Sequence, residues 1–319
     1  MGGQTAVTTG ELWASVVVAV RGNPAALAGL LHALARQEQV PAGGLEVVVV
    51  DNHSRPHPAV VAAVRAARGD GLVMVVVHEA RAGLSRARNH GLRRARGRFG
   101  LVTDPDARPE PAWAARLVEA LETTGAYCAG GRVVPHYTGA APTDLDPELA
   151  KLFAPPVWPA RVEPLSSPYW LAGCNLAMRR HPLPVFCEAL GARGRRRGTS
   201  EDLEFVARAQ REGRAVVVVP DAVVHRAVHP ADLSVVGLVR RGLAHGVSVA
   251  RLTTLHPELV IFDDYRWGHV LGRWHQDRLS AVVAGARILG RTLGRARQLL
   301  PSTAARGVGG RPRHSRRRA

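Results

Sequence analysis

The stretch Arg98-Phe-Gly-Leu-Val-Thr-Asp-Pro-Asp-Ala107 predicts a short buried strand, residues 99–103, that ends at two carboxylates, Asp104 and Asp106. The strand stops there because Pro105 cannot donate a hydrogen bond to a neighbouring strand. In an open parallel sheet, ligands bind outside the carboxyl ends of the strands. Carboxylate oxygens are hard ligands that suit Mg²⁺ or Mn²⁺. The two aspartates are therefore candidate metal ligands, although Asp and Pro are equally typical of a solvated turn.

Alternating strands and helices precede this stretch, which predicts an α/β fold. Apolar runs typical of buried strands cover residues 14–20, 45–50 and 72–77. Helices are predicted between them, over residues 25–36, 58–68 and 84–96. In the first of these, leucines recur at the spacing of one helical face, at positions 27, 30, 31 and 34. We therefore expect a Rossmann-type, mostly parallel sheet with helices on both faces, joined by right-handed crossovers.

The second half of the chain continues the pattern less regularly. Further strands are predicted over residues 126–134, 171–178 and 215–219, the last closed by Pro220. Helices are predicted over residues 111–123, 200–212, 233–252 and 279–300. Residues 136–168 are rich in proline and have no clear period, which predicts a long loop over the sheet. Residues 301–319 are of low complexity, and we expect them to be disordered.

The charge of the chain is strongly positive and unevenly placed. The net charge is +17, and twelve of the arginines lie between Arg273 and Ala319. A basic end favours acidic partners such as phosphate groups, anionic lipid or nucleic acid. Aromatic residues make up only 5% of the chain, whereas proteins that bind nucleic acid usually combine basic and aromatic side chains. We therefore expect no nucleic acid partner.

The cysteines and the apolar runs indicate the compartment. Cys128, Cys174 and Cys187 are widely spaced, with no C-x-x-C motif, so neither a disulfide framework nor a thiolate zinc site is indicated. The first ten residues lack the basic and apolar regions of a signal peptide. No apolar run reaches the length that a bilayer-spanning helix requires. We therefore expect a cytoplasmic protein.

Two candidate binding segments lie before the opening stretch. Asp51 ends the second predicted strand, where it fits either a turn cap or an acceptor of hydrogen bonds from a nucleotide base. Gly83-Leu-Ser-Arg-Ala-Arg-Asn89 opens a helix, and the N–H groups of a helix N-terminus attract phosphate. Arg86 and Arg88 would pair with the same phosphate, unless they only form a solvated basic face.

Two more candidate segments follow it. Glu201 and Asp202 open the helix at residues 200–212, as catalytic carboxylates or as part of a cap in which Thr199 and Asp202 form a capping box. His225 closes the motif after Pro220. It fits either a third metal ligand or a histidine that only forms a hydrogen bond.

Taken in order, these motifs resemble the family 2 glycosyltransferases of the GT-A fold. They span roughly residues 14–252, and they are SVVVAVRGNPAAL, VVVVDNHS, AGLSRARNHGLRRARGRFGLVTDPD, LAGCNLAMRR, TSEDLEFVARAQREG and VPDAVVHRAVHP. The resemblance implies a hexosyltransferase-type enzyme that transfers a sugar, with inversion, from a nucleotide-diphosphate sugar to an acceptor hydroxyl. It implies UDP-, GDP- or dTDP-sugars as donors and Mg²⁺ or Mn²⁺ as cofactor.

The resemblance also implies roles for the residues that contact the donor. Asp51 would contact the base, and Arg88 and Asn89 would lie near the ribose and diphosphate. Asp104 would contact the nucleotide and, with Asp106, form the Asp-x-Asp motif that binds the metal.

Further roles concern the acceptor side. Asp202 would be the general base, with Glu201 beside it in the acceptor pocket, and His225 matches a histidine that ligates the metal in some members. Many members carry an acidic residue directly before the second Asp of the motif, where this chain has Pro105. Chemically, the leaving diphosphate needs its charge offset by a metal, and the attacking hydroxyl must lose its proton to a base.

The resemblance and the predicted elements together divide the chain into regions. Residues 1–10 are then a tail, and residues 11–230 are the catalytic domain, with a nucleotide-sugar half (11–110) and an acceptor half (111–230). Residues 231–300 form a helical extension, and residues 301–319 are a disordered Arg-rich tail.

Two alternatives remain open from the sequence. A sugar nucleotidyltransferase would need a Gly-rich basic loop after the first strand, which the turn at residues 21–24 does not supply. An Arg-rich protein that binds membrane or nucleic acid, with a non-catalytic nucleotide-binding domain, would make use of the basic end. The helix at residues 279–300 has an apolar stripe with arginines largely elsewhere. This pattern is typical either of a helix that packs on the domain or of peripheral contact with anionic lipid at the inner face of a membrane.

Overall fold

Strands and helices alternate through the first hundred residues, as their apolar periods predict. A computed structural model describes residues 12–41, 44–54, 57–67, 72–143, 145–153, 158–166, 170–193, 198–259 and 277–299. The first strands are β1 (Leu12–Val20), β2 (Leu45–Asp51), β3 (Val73–His78) and β4 (Gly97–Thr103), and the helices between them are α1 (Pro24–Ala35), α2 (His57–Ala67) and α3 (Leu84–Arg94). The strands pair in parallel in the order β3-β2-β1-β4. Their carboxyl ends therefore meet at one edge of the sheet, where Asp51 ends β2 and Asp104 follows β4.

The second half of the chain extends the same sheet. Its elements are β5 (Ala107–Pro109), α4 (Trp113–Thr124), β6 (Cys128–Tyr137), α5 (Pro147–Ala150), β7 (Glu163–Pro164), β8 (Leu176–Arg179), α6 (Glu201–Arg211) and β9 (Val216–Val228). The sheet continues from β4 in the order β8-β6-β9-β5, and β7 also pairs with β9. β8 is antiparallel to both of its neighbours, whereas β6 and β9 are parallel.

Three predicted segments differ from the structure in ways that concern the site. β9 does not stop at Pro220 but continues to Val228, because the register against β6 shifts between Gly131 and Val133 and leaves the proline in an irregular segment, where a missing N–H costs no ladder bond. The strand predicted at residues 171–178 is reduced to β8, since a turn in which Asn175 N–H donates to the Ala172 carbonyl precedes it. The predicted loop at residues 136–168 contains the short elements α5 and β7.

Helices cover both faces of the sheet, as predicted. α1, α2 and α4 enclose one buried apolar layer, which includes Leu27, Val60 and Trp113. α3 and α6 enclose the other, which includes Leu92 and Phe205. The central strands are buried on both faces, and this explains why β1 and β2 are nearly continuous runs of valine rather than alternating patterns.

Three helices follow the sheet, and the two long ones pack against each other. They are α7 (Pro230–Leu233), α8 (Val235–Leu255) and α9 (Arg278–Leu299). α8 and α9 approach closely because glycines face the partner backbone: a Cβ on Gly246 would collide with the Arg287 carbonyl, and one on Gly290 with the Leu243 carbonyl. In the described ranges, no helix combines the length and the apolar character that crossing a membrane requires. The predicted tails at residues 1–10 and 301–319 lie outside the described residues.

Candidate active site

The Asp104–Asp106 turn joins two strands at the carboxyl edge of the sheet. β4 ends at Thr103, the Ala107 N–H donates to the Asp104 carbonyl at 3.0 Å, and β5 then pairs antiparallel with β9. This pairing places Ala107 opposite Arg226. The Arg226 guanidinium consequently reaches both aspartates: Nη2 lies 3.6 Å from Asp104 Oδ2, and Nε lies 3.7 Å from Asp106 Oδ2.

Arg88 is a second arginine of the site, and it is buried beneath the turn. Its Nη2 donates to Asp104 Oδ1 at 3.0 Å and to the Gly173 carbonyl at 2.9 Å, and its Nη1 donates to Glu201 Oε1 at 2.9 Å. Gly173 allows this approach, since a Cβ there would lie 2.7 Å from Arg88 Nη1. One guanidinium on α3 thus connects the end of β4 with the start of α6.

The start of α6 presents Glu201 and Asp202 in different ways. Glu201 is almost completely buried against Arg88, whereas Asp202 is partly exposed and accepts hydrogen bonds from Gly173 N–H at 2.8 Å and Leu203 N–H at 2.9 Å. The predicted capping box does not form. The N-cap residue is Ser200, with a left-handed φ of 76° and no side-chain cap, and Thr199 N–H instead donates to Ser248 Oγ of α8 at 3.0 Å.

Four carboxylates therefore face one another across the site, and we call Asp104, Asp106, Glu201 and Asp202 the acidic cluster. Burial, followed by repulsion from Asp202, raises the pKa of Glu201 to about 7. Burial also raises the pKa of Asp106; attraction to Arg226 opposes that change, and repulsion from Asp104 adds to it. Such perturbed carboxylates are typical of functional sites.

The two arginines respond to the same charges. Burial alone would lower the pKa of Arg88, but Asp104 and Glu201 outweigh burial and raise it. The pKa of Arg226 is also raised: its partial burial would lower the pKa, but Cys174, followed by Asp104 and Asp106, outweighs that effect. Both guanidinium groups therefore remain charged, and Asp104 is the carboxylate that both of them contact.

Asp51, the last residue of β2, caps the turn that follows this strand. Asp51 is fully buried, its Oδ1 accepts a hydrogen bond from Ser54 N–H at 3.0 Å, and its Oδ2 lies 3.5 Å from His78 Nδ1. The turn-cap interpretation of Asp51 is therefore realised in the structure. Its predicted contact with a base stays a prediction.

Asn89 braces a neighbouring segment. Its Nδ2 donates to the Phe186 carbonyl at 2.9 Å, and its Oδ1 accepts from Phe186 N–H at 2.8 Å. The predicted place of Asn89 near the ribose and diphosphate is not tested by these contacts.

His225 is not brought to the acidic cluster in the described arrangement. Successive residues of a strand point to opposite faces, so His225 is directed away from the side on which Arg226 meets the aspartates. Its Nε2 lies 2.9 Å from Glu110 Oε1, in a half-exposed pair. Within the described ranges, no group of three or more His, Cys, Asp or Glu side chains is arranged to hold a metal ion.

The sequence reasoning missed Arg226. It lies next to His225, in a motif from which the sequence predicts only the histidine as a site residue. Strand alternation would have placed the arginine on the opposite face from the histidine. What the sequence did not contain was the antiparallel pairing of β5 with β9, and that pairing decides which of these two faces meets the aspartates.

Comparison with known proteins finds sequence similarity to one family of enzymes. The model of the family described as "Glycosyl transferase family 2" matches residues 15–168. The succinoglycan biosynthesis protein ExoM of Rhizobium meliloti (strain 1021) is 30% identical over 236 residues, which cover 71% of each chain.

Solved structures show the same fold. The mannosyltransferase PcManGT of Pyrobaculum calidifontis, in complex with GDP-Man and Mn²⁺, has a TM-score of 0.54 and 20% identity over 89% of this chain and 76% of that one. S. aureus TarS 1-349, in complex with UDP-GlcNAc, has a TM-score of 0.53 and 17% identity over 90% of this chain and 92% of that one. At these identities the likeness establishes the GT-A fold alone, and it confirms the predicted fold class.

Proposed function

The chain belongs to glycosyl transferase family 2 and is a glycosyltransferase, and from that premise we propose that it transfers a sugar, with inversion, from a nucleoside-diphosphate sugar to an acceptor hydroxyl. Asp202 is the general base, and the Asp104–Asp106 pair holds Mg²⁺ or Mn²⁺. The observation that carries the proposal is the acidic cluster, in which four carboxylates and two arginines meet at the carboxyl edge of the sheet. In open α/β sheets this edge is where ligands bind.

The choice of Asp202 as base rests on exposure. A general base must reach the hydroxyl whose proton it takes. Asp202 is partly exposed, whereas Glu201 is buried and bonded to Arg88. The backbone N–H groups of Gly173 and Leu203 hold the Asp202 carboxylate in one orientation. Glu201 then supports the acceptor side from beneath rather than contacting the acceptor.

The metal assignment rests on the chemistry of the donor set. Asp104 and Asp106 present carboxylate oxygens to a cationic group, since both face Arg226. Mg²⁺ typically binds through one or two carboxylates, with substrate phosphates and water completing its shell. The pair fits that pattern. His225 contacts Glu110 instead of the pair, so it is not part of the proposed metal site. A bound divalent ion would offset the negative charge of the leaving diphosphate.

The donor is placed along the edge formed by β2 and β4. Asp51 contacts the base, and the diphosphate lies toward the Asp104–Asp106 pair, with Arg88 and Asn89 shaping the wall between them. UDP-, GDP- and dTDP-sugars are the candidates. The neighbours supply precedents for two of these nucleotides, since PcManGT was solved with GDP-Man and TarS with UDP-GlcNAc.

The acceptor is proposed to be a hydroxyl on a glycan. The relative ExoM is named for the biosynthesis of succinoglycan, which supports a saccharide acceptor. In this arrangement residues 11–110 hold the donor and residues 111–230 the acceptor. The contact between Thr199 and Ser248 ties the helical extension at residues 231–300 to the acceptor side.

The test is a donor screen by mass spectrometry. Purified protein is incubated with UDP-, GDP- and dTDP-sugars, a saccharide acceptor panel and Mn²⁺, and the anomeric configuration of the product is read by NMR. Asp202→Asn should lower kcat by at least about 10²-fold with little change in nucleotide affinity, the usual scale for loss of a general base. Asp221→Asn, an exposed carboxylate on β9, is the matched control. Undiminished turnover in Asp202→Asn, or a product with retained configuration, would contradict the mechanism.

Family membership favours sugar transfer over the two alternatives that the sequence left open.

Peripheral membrane contact is compatible with transfer, and we propose it at the cytoplasmic face. α9 exposes Val282, Leu289 and Leu293 at 41%, 51% and 41% of their surface, on the side that α8 does not cover. Basic residues near an anionic surface contribute about 1 kcal/mol each, and Arg295 is exposed on the same helix.

Vesicle co-sedimentation tests the membrane proposal. The full chain should sediment with anionic vesicles at low salt, and a Leu289→Ser, Leu293→Ser double variant should be recovered less. Leu255→Ser, which removes an exposed leucine from α8, is the control. Equal recovery of the double variant and the wild type would rule out contact through α9.

A further inference from the structure

We propose that Arg226 is a built-in cation of the Asp104–Asp106 pair, which a divalent metal ion must displace in order to bind. The inference rests on the proposed function, because it takes the pair to be the metal site. It adds a residue for which neither the motif nor the comparisons provide a role. It also predicts that the metal affinity of the enzyme is limited by its own arginine.

The two arginines of the site differ in how firmly they are held. Arg88 is fully buried, and its hydrogen bonds of 2.9–3.0 Å reach two carboxylates and one carbonyl. Arg226 is more than a third exposed at its side chain, and its nitrogens lie 3.6 and 3.7 Å from the aspartate oxygens. Those distances describe ion pairs rather than hydrogen bonds. Arg226 is therefore the guanidinium that can leave the carboxylates.

The oxygens that Arg226 faces are those that a metal needs. Asp104 Oδ1 is already bonded to Arg88, which leaves Oδ2 for a metal, and Oδ2 is the atom that Arg226 approaches. On Asp106 it is again Oδ2 that faces Arg226. A guanidinium and a divalent ion cannot share these oxygens without strong repulsion at such distances. Binding of the ion therefore requires Arg226 to move.

The displaced guanidinium has a natural new partner. Arginine pairs well with phosphate oxygens, and the diphosphate of the donor is proposed to lie beside the same aspartates. A nucleoside diphosphate should therefore tighten metal binding by giving Arg226 another anion to contact. Movement of Arg226 from the aspartates to the diphosphate therefore couples binding of the metal to binding of the donor.

The experiment is a calorimetric titration of MnCl₂ into the full chain, without donor or acceptor. Arg226→Gln should bind Mn²⁺ at least about 10-fold more tightly than the wild type, because the competing charge is gone. Arg98→Gln removes the same charge from an exposed pair with Glu122 and should leave the affinity unchanged. Asp106→Asn should weaken the titrated site in either background. Equal or weaker Mn²⁺ binding by Arg226→Gln would overturn the proposal.

Two further measurements keep the outcome decisive. Without metal, in EDTA, Arg226→Gln should unfold at a lower temperature than the wild type. Because a ligand stabilises the state that it binds, added Mn²⁺ should raise the unfolding temperature of this variant more than that of the wild type. Arg226→Lys keeps the charge but cannot contact both carboxylates as a planar fork does. If the glutamine variant does not fold, tighter Mn²⁺ binding by Arg226→Lys than by the wild type supports competition, and equal binding rejects it.

Sugar transfer is measured separately, so that the two proposals fail in different ways. Transfer by the wild type together with an unchanged Mn²⁺ affinity in the variants rejects the role of Arg226 and leaves the proposed function standing. Transfer in EDTA, with no Mn²⁺ bound by any variant, rejects both the metal site and the displacement. Absence of transfer with every donor tested, together with tighter Mn²⁺ binding in Arg226→Gln, rejects the proposed activity and retains the displacement.

Discussion

Replacement of Arg88 by methionine tests the site more directly than any other single change. The side chain is buried, and it joins Asp104 to Glu201 through charge-assisted hydrogen bonds. Removing one partner of a buried ion pair typically costs 3–5 kcal/mol, because it leaves an uncompensated charge. Arg226 still faces Asp104, so most of the loss falls on Glu201, and uptake of a proton by that carboxyl relieves part of it. We expect a loss of about 3 kcal/mol at neutral pH.

Urea unfolding followed by circular dichroism measures this loss. Arg86→Met provides the matched control on the same helix, since Arg86 pairs with the half-exposed Glu188 and should lose less than about 1 kcal/mol. A double-mutant cycle with Glu201→Gln isolates the contact. The double variant should be more stable than the sum of the single effects predicts by at least about 1 kcal/mol, as expected for residues in direct contact.

The opposite result has a definite meaning. If Arg88→Met unfolds at the same urea concentration as the wild type and only raises the KM for the donor, Arg88 contacts the ribose or diphosphate, as the family resemblance implies. In that case it is not an internal tie between β4 and α6. Strict additivity in the cycle would likewise refute the argument from the structure.

Three other changes follow from the same contacts. The pKa of Glu201, about 7, lies above its ordinary value of 4.5, so the folded state holds this proton more tightly than the unfolded chain does. The resulting stabilisation, up to about 3 kcal/mol, is complete below pH 4.5 and is lost as the pH rises to 7. Glu201→Gln should remove this pH dependence from the midpoints of urea unfolding. An unaltered pH dependence in that variant would contradict the assignment to Glu201. Asp106→Asn should abolish metal-dependent transfer while the protein stays folded, and full turnover of this variant in EDTA would argue against the metal site. Gly173→Ala places a methyl group 2.7 Å from Arg88 Nη1, so we expect a loss of about 1–3 kcal/mol and a lower kcat, whereas wild-type values for both would show that the guanidinium has room to shift.

The sequence alone predicted the first half of the fold because its determinants are local. Leucines at helical spacing formed α1, and unbroken valine runs formed β1 and β2. Once those strands are parallel, their carboxyl ends share one edge of the sheet. The position of Asp51 and Asp104 at that edge could therefore be predicted from the sequence. The family resemblance then added identities for the residues along that edge.

Long-range pairing decided what the sequence did not predict. Pro220 is an ordinary strand terminator, and only the register shift opposite Gly131 makes it tolerable inside β9. Arg88 lies on a helix with many arginines, and periodicity does not distinguish one that is buried beneath a turn from one that faces solvent. The turn before β8 brings the Gly173 carbonyl to Arg88 and the Gly173 N–H to Asp202. No local sequence pattern predicts those contacts.

The contacts that the sequence did not predict all affect the charge balance of the site. Within the described residues, the acidic cluster has four carboxylates against the two guanidinium groups that contact it. Arg88 is fixed and offsets part of the negative charge inside the cluster, where burial and repulsion from Asp202 still raise the pKa of Glu201. Arg226 is loosely held at the exposed end, where the substrate is proposed to enter. The proposed function requires this place to accept both a divalent cation and a diphosphate, which calls for a permanent positive charge inside and an exchangeable one outside. The different burial of these two arginines provides that arrangement.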